Sequence, residues 1–189
     1  MDKAASTTIG PIGRRIDSAL AAIVSRKWED ALIHLFPAMD KTAKRRRPKA
    51  SVSERIRAFI DEQQVIITAI AFGNILGRDC SFNGLTFSQA IYKFGRTSIA
   101  HEGQLDERLR ITAGGGVRIG QVWELPSSTV MAMCIAVIIA PENARERSAS
   151  RGTLTVMGEN FEVQELWGAQ RKIEDTIRRQ YRRDVFAGV

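Results

Sequence analysis

The feature that most constrains this fold is an apolar run of eleven residues, 130–140, which has no charged side chain and ends at Pro141. The run is too short to cross a bilayer, which takes roughly 20 residues. Ser127 or Ser128 is placed to cap a helix here. A helix that is apolar on every side is buried in a protein core. The sequence therefore predicts a buried helix in a globular protein, in keeping with a hydrophobic fraction of 44% and a charged fraction of 26%.

Helical periodicity predicts four helices before this run and one after it. The third begins with a capping box, in which Ser51 and Glu54 satisfy each other's backbone amides. In the second, Pro37 is expected to kink or break the helix, and His34 is expected on the solvated side, opposite the apolar stripe. The small polar residues 1–10 are expected to be frayed. The predicted helices begin at about residues 11, 25 or 27, 51, 86 or 88, and 160. The first is expected to end at about residue 24, the third at about 72 and the fourth at about 103. The second is expected to end in a run of basic residues.

A change of period predicts a small β element between the fourth and fifth helices. Leu109 and Ile111 alternate with polar residues, three glycines follow at 114–116, and alternation resumes to Trp123. This pattern is typical of a β-hairpin, which we expect within residues 105–126. Residues 153–156 form a further candidate strand that could join it. Residues 73–84 are interpreted as a glycine-punctuated loop.

Several functional classes are disfavoured by what the sequence lacks. Cys80 and Cys134 are isolated, so reduced thiols are expected and a zinc site is not. With two histidines in the chain and no HExxH motif, no metal or cofactor is predicted. No phosphate-binding loop or serine-nucleophile motif is present. No signal peptide is evident, so a cytoplasmic location without a membrane partner is expected.

The net charge of +7 makes a polyanionic partner plausible. A cationic segment without any acid lies at the end of the second helix, before and after Pro48. Cations suit a helix C-terminus, but six exceed that need, so a phosphate-binding surface is the second interpretation. The segment comprises Lys41, Lys44, Arg45, Arg46, Arg47 and Lys49. The first five of these, Lys41, Lys44, Arg45, Arg46 and Arg47, are the candidate RNA-binding residues.

Residues 92–103, YKFGRTSIAHEG, contain the remaining candidates for chemistry, Arg96 and His101. Metal-free RNA cleavage needs a general base, a general acid and a cation for the developing charge, which histidine and arginine can supply. A spacing of five residues places the two side chains roughly 140° apart on an α-helix. One copy supplies one histidine, so acid and base together would most simply come from two copies. By spacing alone, two cations that suit a helix end are the simpler explanation.

The same residues resemble the Arg-x4-His signature of HEPN domains (higher eukaryotes and prokaryotes nucleotide-binding), and the helical pattern of residues 31–44 is also similar. The resemblance implies a homodimer with a composite, metal-independent RNase site that leaves 2′,3′-cyclic phosphate ends. Arg96 would bind phosphate and His101 would act as acid or base. The family commonly has Asn, Asp or His after the arginine, where this chain has Thr97 as an auxiliary active-site residue. Such proteins often act as toxins or anti-phage defence effectors, which implies an antitoxin or another defence protein as a possible partner.

The predicted fold class is accordingly mainly α, an antiparallel HEPN-like helical bundle with a small β-hairpin and a C-terminal helical extension. A single domain over residues 1–189 is expected. It would comprise a HEPN-like helical core at 11–104, the β-hairpin at 105–126, and C-terminal helices with a possible short strand at 127–189.

The sequence is compatible with three functional hypotheses. The first is a dimeric endoribonuclease using Arg96 and His101. The second is a catalytically inactive module of the same fold that binds RNA or a protein. The third is a structural or oligomerisation protein whose positive charge serves solubility.

Overall fold

A computed structural model describes residues 9–187 of the chain. The expectations for residues 1–8 and the outer ends of the predicted domain lie outside this range. The described part is mainly helical, as predicted. The helices are α1 (Pro11–Val24), α2 (Trp28–Arg46), α3 (Val52–Phe72), α4 (Phe87–Ala90), α5 (Ser98–Glu102), α6 (Ser128–Ile139), α7 (Val163–Leu166) and α8 (Gln170–Tyr181). A π-helical segment (Ile91–Thr97) joins α4 to α5, and a 3₁₀ turn (Pro141–Asn143) follows α6.

Helix α6 is the centre of the core, as the apolar run predicts. Every residue from 132 to 140 is buried. Helices α1, α2, α3 and α8 pack against α6, so its apolar sides are covered from several directions. No helix among the described residues is long and apolar enough to span a membrane.

The first three helices confirm the predicted starts and ends closely. Helix α1 covers the predicted span, and the predicted capping box of α3 is present with both of its hydrogen bonds. Helix α2 runs through Pro37 without interruption, so the predicted break is absent. Proline cannot donate to the carbonyl of Ile33 one turn earlier, and Pro37 is tolerated because it lies on the exposed side of the helix. His34 is half-buried and its Nδ1 is buried without a hydrogen-bond partner, so the prediction of a solvated histidine is wrong.

The predicted hairpin at 105–126 is replaced by a three-stranded sheet of different topology. Its strands are β3 (Leu109–Thr112), β4 (Arg118–Ile119) and β5 (Trp123–Pro126). Strand β5 is central, parallel to β3 and antiparallel to β4. Trp123 and Leu125 of β5 are buried. Their burial favours the central position in the sheet, where β5 has a neighbouring strand on each side. Alternation in sequence identifies a strand, but it does not determine which strand pairs with it.

Two other strand pairs correct the sequence-based prediction. Asn83 and Gly84, with φ of 52° and 74°, form the turn between β1 (Ser81–Phe82) and β2 (Leu85–Thr86), inside and just after the predicted loop. The strand predicted at 153–156 exists as β6 (Thr153–Val156), but it pairs with β7 (Glu159–Glu162) and does not join the other sheet.

The last helix starts later than predicted. Asn160 lies in β7, and the helical region is divided into α7 and α8 at residues 167–169. Gly168 has φ of 74° and donates its amide to the carbonyl of Ile138. A Cβ there would lie 2.5 Å from that of Ala144, so contact with the end of α6 breaks the helix.

Candidate functional site

The helical region 87–102 carries both predicted catalytic residues. Thr86 and Gln89 form a capping box at its start, and Gly103, with φ of 75°, ends it. Its middle is the seven-residue π-helical segment that contains Arg96. π-Helical turns are rare and frequently occur at functional sites. The irregular backbone therefore makes the surroundings of Arg96 a candidate functional site.

The π-helical segment is stabilised by contacts within the helix and beyond it. The hydroxyl of Thr97 donates to the carbonyl of Tyr92, five residues earlier, at 3.1 Å. The amide of Asp106 donates to the carbonyl of Phe94 at 3.0 Å. Gly95 packs so closely on α2 that a Cβ would lie 3.0 Å from Cζ of Phe36. The hydroxyl of Thr97, predicted as an auxiliary group, thus contributes to the backbone structure.

Arg96 lines a cavity of about 260 Å³ between α2 and the helical region 87–102. Its guanidinium carbon lies 5.8 Å from the centre of the Tyr92 ring, within cation–π range. Arg96 is half-buried, and no carboxylate of the described residues lies within salt-bridge distance of it. The other residues that line the cavity are Ile33, Phe36, Pro37, Asp40, Ile99 and Ala100.

Asp40 is the one acid among the described residues that line the cavity, but its charge is already compensated. Arg55 of α3 donates to both of its oxygens, from Nε at 2.7 Å and from Nη2 at 3.0 Å. Such a bidentate pair is among the stronger ionic contacts in proteins. The cavity is therefore mainly apolar, with the charge of Arg96 uncompensated.

His101 lies at the end of α5 and is exposed. It does not line the cavity that Arg96 lines. In residues 9–187, its side chain makes no hydrogen bond to the protein. Within one chain, the structure therefore does not join Arg96 and His101 in a single pocket.

Three of the five predicted RNA-binding cations are engaged in ion pairs within the chain. Arg45 contacts Glu146, and Arg46 contacts both Glu62 and Glu142. Arg47 also contacts Glu62. These arginines compensate acids from α3 and the segment after α6, which sequence proximity could not reveal.

The arginines lower the pKa of two of these acids, Glu62 and Glu142. Burial alone would raise the pKa of Glu62, but hydrogen bonds from Arg47 and Arg46 outweigh it and lower that pKa. Burial also opposes ionisation of Glu142, whose pKa is nevertheless lowered by its hydrogen bonds with Arg46. Both acids thus stay charged near neutral pH, and the three arginines serve the fold.

Lys41 and Lys44 differ from these arginines. Both are exposed, and neither has a carboxylate within salt-bridge distance in the described part of the chain. Lys41 follows Pro37 by four residues and Lys44 follows Asp40 by four. On an α-helix this spacing places each lysine one turn beyond a residue that lines the cavity. The spacing therefore places Lys41 and Lys44 on the side of α2 that faces the cavity, although neither residue lines it.

Among the described residues the possible metal ligands are dispersed and the two cysteines are free. No group of three or more His, Cys, Asp or Glu side chains within 9–187 is arranged to hold a metal ion. Cys134 is fully buried in α6, which raises the pKa of its thiol to about 12. Cys80 is exposed and free.

Comparison with known proteins identifies the family. The family described as Rv1289 matches residues 11–186, so this chain belongs to it. No curated protein and no solved structure matches the chain.

The identified family is not a HEPN family, so the HEPN resemblance is wrong. A short Arg-x4-His spacing on a helix is too common to identify a family, because arginine and histidine both suit a helix end. The expected roles in toxin–antitoxin or anti-phage systems, and an antitoxin partner, depended on that resemblance and stay predictions.

Sequence reasoning misses two contributors to the site. Tyr92 lies within residues 92–103, but spacing assigns it no role, and Asp40 is predicted only as part of a helix. The pairing of Asp40 with Arg55 joins two helices, and no local pattern signals it. The aromatic residue four positions before Arg96 is the one signal that spacing could have offered.

Proposed function

We propose that this protein binds single-stranded RNA through its phosphate groups, at the surface formed by Arg96, Lys41 and Lys44. The observation that carries the proposal is the half-buried guanidinium of Arg96, which lacks a carboxylate partner among residues 9–187 and lies beside an open cavity. Partly removing a charge from water is costly unless an opposite charge compensates it. An anionic ligand would provide that compensation.

The chemistry around Arg96 suits a phosphate of a nucleic acid. A guanidinium binds phosphate through two parallel hydrogen bonds. Arg96 lies beside the ring of Tyr92, and the cavity is lined by apolar side chains such as Ile99 and Pro37. Single-stranded nucleic acids bind where cations follow the backbone and aromatic or apolar surfaces contact the bases. The overall charge of +7 favours the encounter.

The test measures binding of a fluorescently labelled single-stranded RNA by anisotropy over a range of salt concentrations. Arg96→Gln is expected to weaken binding about tenfold, the loss typical of a hydrogen bond to a charged group. Lys41→Gln combined with Lys44→Gln is expected to reduce the salt slope by about 0.7 for each phosphate that the protein no longer neutralises.

A matched control is Arg171→Gln, which removes an exposed cation on α8. No residue of α8 lines the cavity, so this change is expected to alter RNA binding by less than about twofold, on the order of a single screened surface charge. Equal losses in Arg96→Gln and Arg171→Gln, or binding that does not depend on salt, would contradict the proposal.

A second candidate function is metal-independent RNA cleavage by a homodimer. The supporting observation is that His101 is exposed near the end of the helical region that carries Arg96, where a second copy could reach it. One histidine would take the proton of the ribose 2′-hydroxyl as its oxygen attacks phosphorus. The histidine at the same position of the second copy would give a proton to the leaving 5′-oxygen, and the product would carry a 2′,3′-cyclic phosphate.

Incubation of RNA with the protein in EDTA tests this second candidate, with the product ends analysed by mass spectrometry. His101→Ala is expected to abolish cleavage, and His34→Gln, which changes the other histidine, is expected to preserve it. Cleavage at the wild-type rate by His101→Ala would rule out the composite site. RNA binding without any cleavage by the wild-type protein would leave the binding function alone.

A further inference from the structure

The ion pair between Asp40 and Arg55 bears directly on the RNA site proposed above. Arg55 holds Asp40 through two hydrogen bonds and donates a third, from Nη1, to the carbonyl of Ala50 at 3.1 Å. The Arg55 side chain is 11% exposed and that of Asp40 is 29% exposed. Three hydrogen bonds therefore fix the guanidinium of Arg55, and two of them orient the carboxylate of Asp40.

The position of Asp40 makes this orientation important for Arg96. Asp40 and Arg96 line the same cavity, and the other described lining residues carry no charge. A carboxylate released by Arg55 would be free to turn toward the guanidinium of Arg96. Opposite charges within about 4–6 Å attract each other, and both side chains line this one cavity. An internal carboxylate on Arg96 would compete with an RNA phosphate for the same donors.

We propose that Arg55 is a positioning residue of the RNA site, which keeps Arg96 available for phosphate by holding Asp40 in a bidentate pair. This inference rests on the proposed RNA-binding function. Arg55 itself need not contact RNA. Its effect on binding is exerted through Asp40, and only where Arg96 is present.

The alternative is a structural role, since the pair also connects α2 to α3. A structural defect would weaken RNA binding whether or not Arg96 is present. The competition mechanism has a different signature, because it requires both the free carboxylate and the guanidinium that it would occupy. Combining substitutions at the three positions separates the two explanations.

The experiment measures RNA affinity by anisotropy at one fixed salt concentration, at a temperature where circular dichroism shows every variant folded. Arg55→Gln is expected to weaken binding about tenfold, as Arg96→Gln does, because Asp40 then occupies Arg96. Adding Asp40→Asn to Arg55→Gln removes the competing charge and is expected to restore affinity to within about twofold of wild type. In the Arg96→Gln background, Arg55→Gln is expected to cause no further loss beyond its change in net charge.

The net-charge effect is controlled by Arg57→Gln, which removes another cation from α3. Arg57 is half-buried and its Nε donates to the carbonyl of Ser53 in its own helix. The loss in Arg55→Gln is therefore counted relative to Arg57→Gln. If Arg55→Gln does not fold, Arg55→Lys keeps the charge without the planar fork. A partial loss of about threefold is expected for it, and again only when Arg96 is present.

The outcomes separate this inference from the function on which it rests. An undiminished affinity in Arg96→Gln would overturn the RNA site itself. A normal loss in Arg96→Gln, with equal losses for Arg55→Gln in both backgrounds or no restoration by Asp40→Asn, would overturn the positioning role alone.

Discussion

At the scale of single residues, the role of a charge is decided by its neighbours in space. Arg46 is the last residue of α2 and Arg96 lies in the middle of the helical region 87–102. Arg46 contacts two glutamates, whereas Arg96 has no carboxylate within salt-bridge distance among residues 9–187. No local sequence pattern distinguishes the two arginines. They differ because acids on α3 and after α6 lie beside Arg46 and not beside Arg96.

Asp106 is a second residue whose role depends on its contacts. It accepts hydrogen bonds from Nε of Arg108 at 2.8 Å and from the amide of Arg108 at 2.9 Å, while its own amide binds the carbonyl of Phe94. The side-chain hydrogen bond from Arg108 is the main cause that lowers the pKa of Asp106 to about 2. The turn after Gly103 is thereby held on the π-helical segment.

This lowered pKa predicts a pH dependence of stability. Because the pKa is lower in the folded state, the contribution of Asp106 is fully present above about pH 4 and is lost as the pH falls from about 4 to about 2. We expect Asp106→Asn to reduce the free energy of unfolding at neutral pH by about 1 kcal/mol, allowing for solvent screening. The variant should also lose less stability than wild type on acidification.

Urea unfolding at about pH 7, 4 and 2.5 measures this difference across the range in which Asp106 titrates. Glu107→Gln, at an exposed neighbouring position, is the control and should follow the wild-type curve. Parallel pH curves for Asp106→Asn and wild type would contradict the assignment.

At the scale of elements, strong local signals predict helices and strands well. The capping box before α3 and the apolar run of α6 needed no tertiary information. The sequence did not predict which strands pair with each other, because β3 and β5 are parallel and distant in sequence. The π-helical segment was not predicted either, since the contacts of Gly95 and Asp106 that accompany it come from other elements.

The capping box gives a prediction at this scale. Ser51→Ala removes the side chain that accepts from the amide of Glu54 at 3.3 Å, and we expect the free energy of unfolding to fall by about 1 kcal/mol. Chemical denaturation measures the change. Ser18→Ala, on the exposed face of α1, is the control and should change stability by less than about 0.5 kcal/mol. Equal effects of the two substitutions would argue against the cap.

At the scale of the whole molecule, one buried junction connects three parts of the chain. Glu146 is 5% exposed, accepts from the amide of Gly13 at the start of α1, and pairs with Arg45 at the end of α2. Asn143 adds hydrogen bonds to Thr42 and to the carbonyl of Val137. Part of the cationic segment therefore stabilises the fold, whereas Lys41, Lys44 and Lys49 are exposed and have no carboxylate within salt-bridge distance among residues 9–187.

Gly13 is the sensitive point of this junction. A Cβ at this position would lie 1.7 Å from the carbonyl oxygen of Arg147, a backbone atom that cannot move without shifting the segment after α6. We expect Gly13→Ala to destabilise the protein by about 3 kcal/mol, as severe overpacking does. Thermal and urea unfolding measure the loss.

Gly114→Ala is the matched control, because a Cβ there would have no atom within 4 Å. It should leave the stability within about 0.5 kcal/mol of wild type. A stable Gly13→Ala variant would show that α1 does not approach the segment after α6 as closely as described.

Local sequence patterns were sufficient for the mainly helical class, the bounds of α1 and α3, and the burial of α6. These follow from periodicity, caps and apolar runs, which act between residues close in the chain. Only the packing of the elements determined how β5 pairs and where α8 starts. It also determined which acid each arginine at 45–47 contacts. Those outcomes depend on contacts between distant residues, such as Arg46 with Glu142 and Asp40 with Arg55. The partner in an ion pair or of a strand depends on which distant residues the packed fold brings together, so no local sequence pattern predicts it.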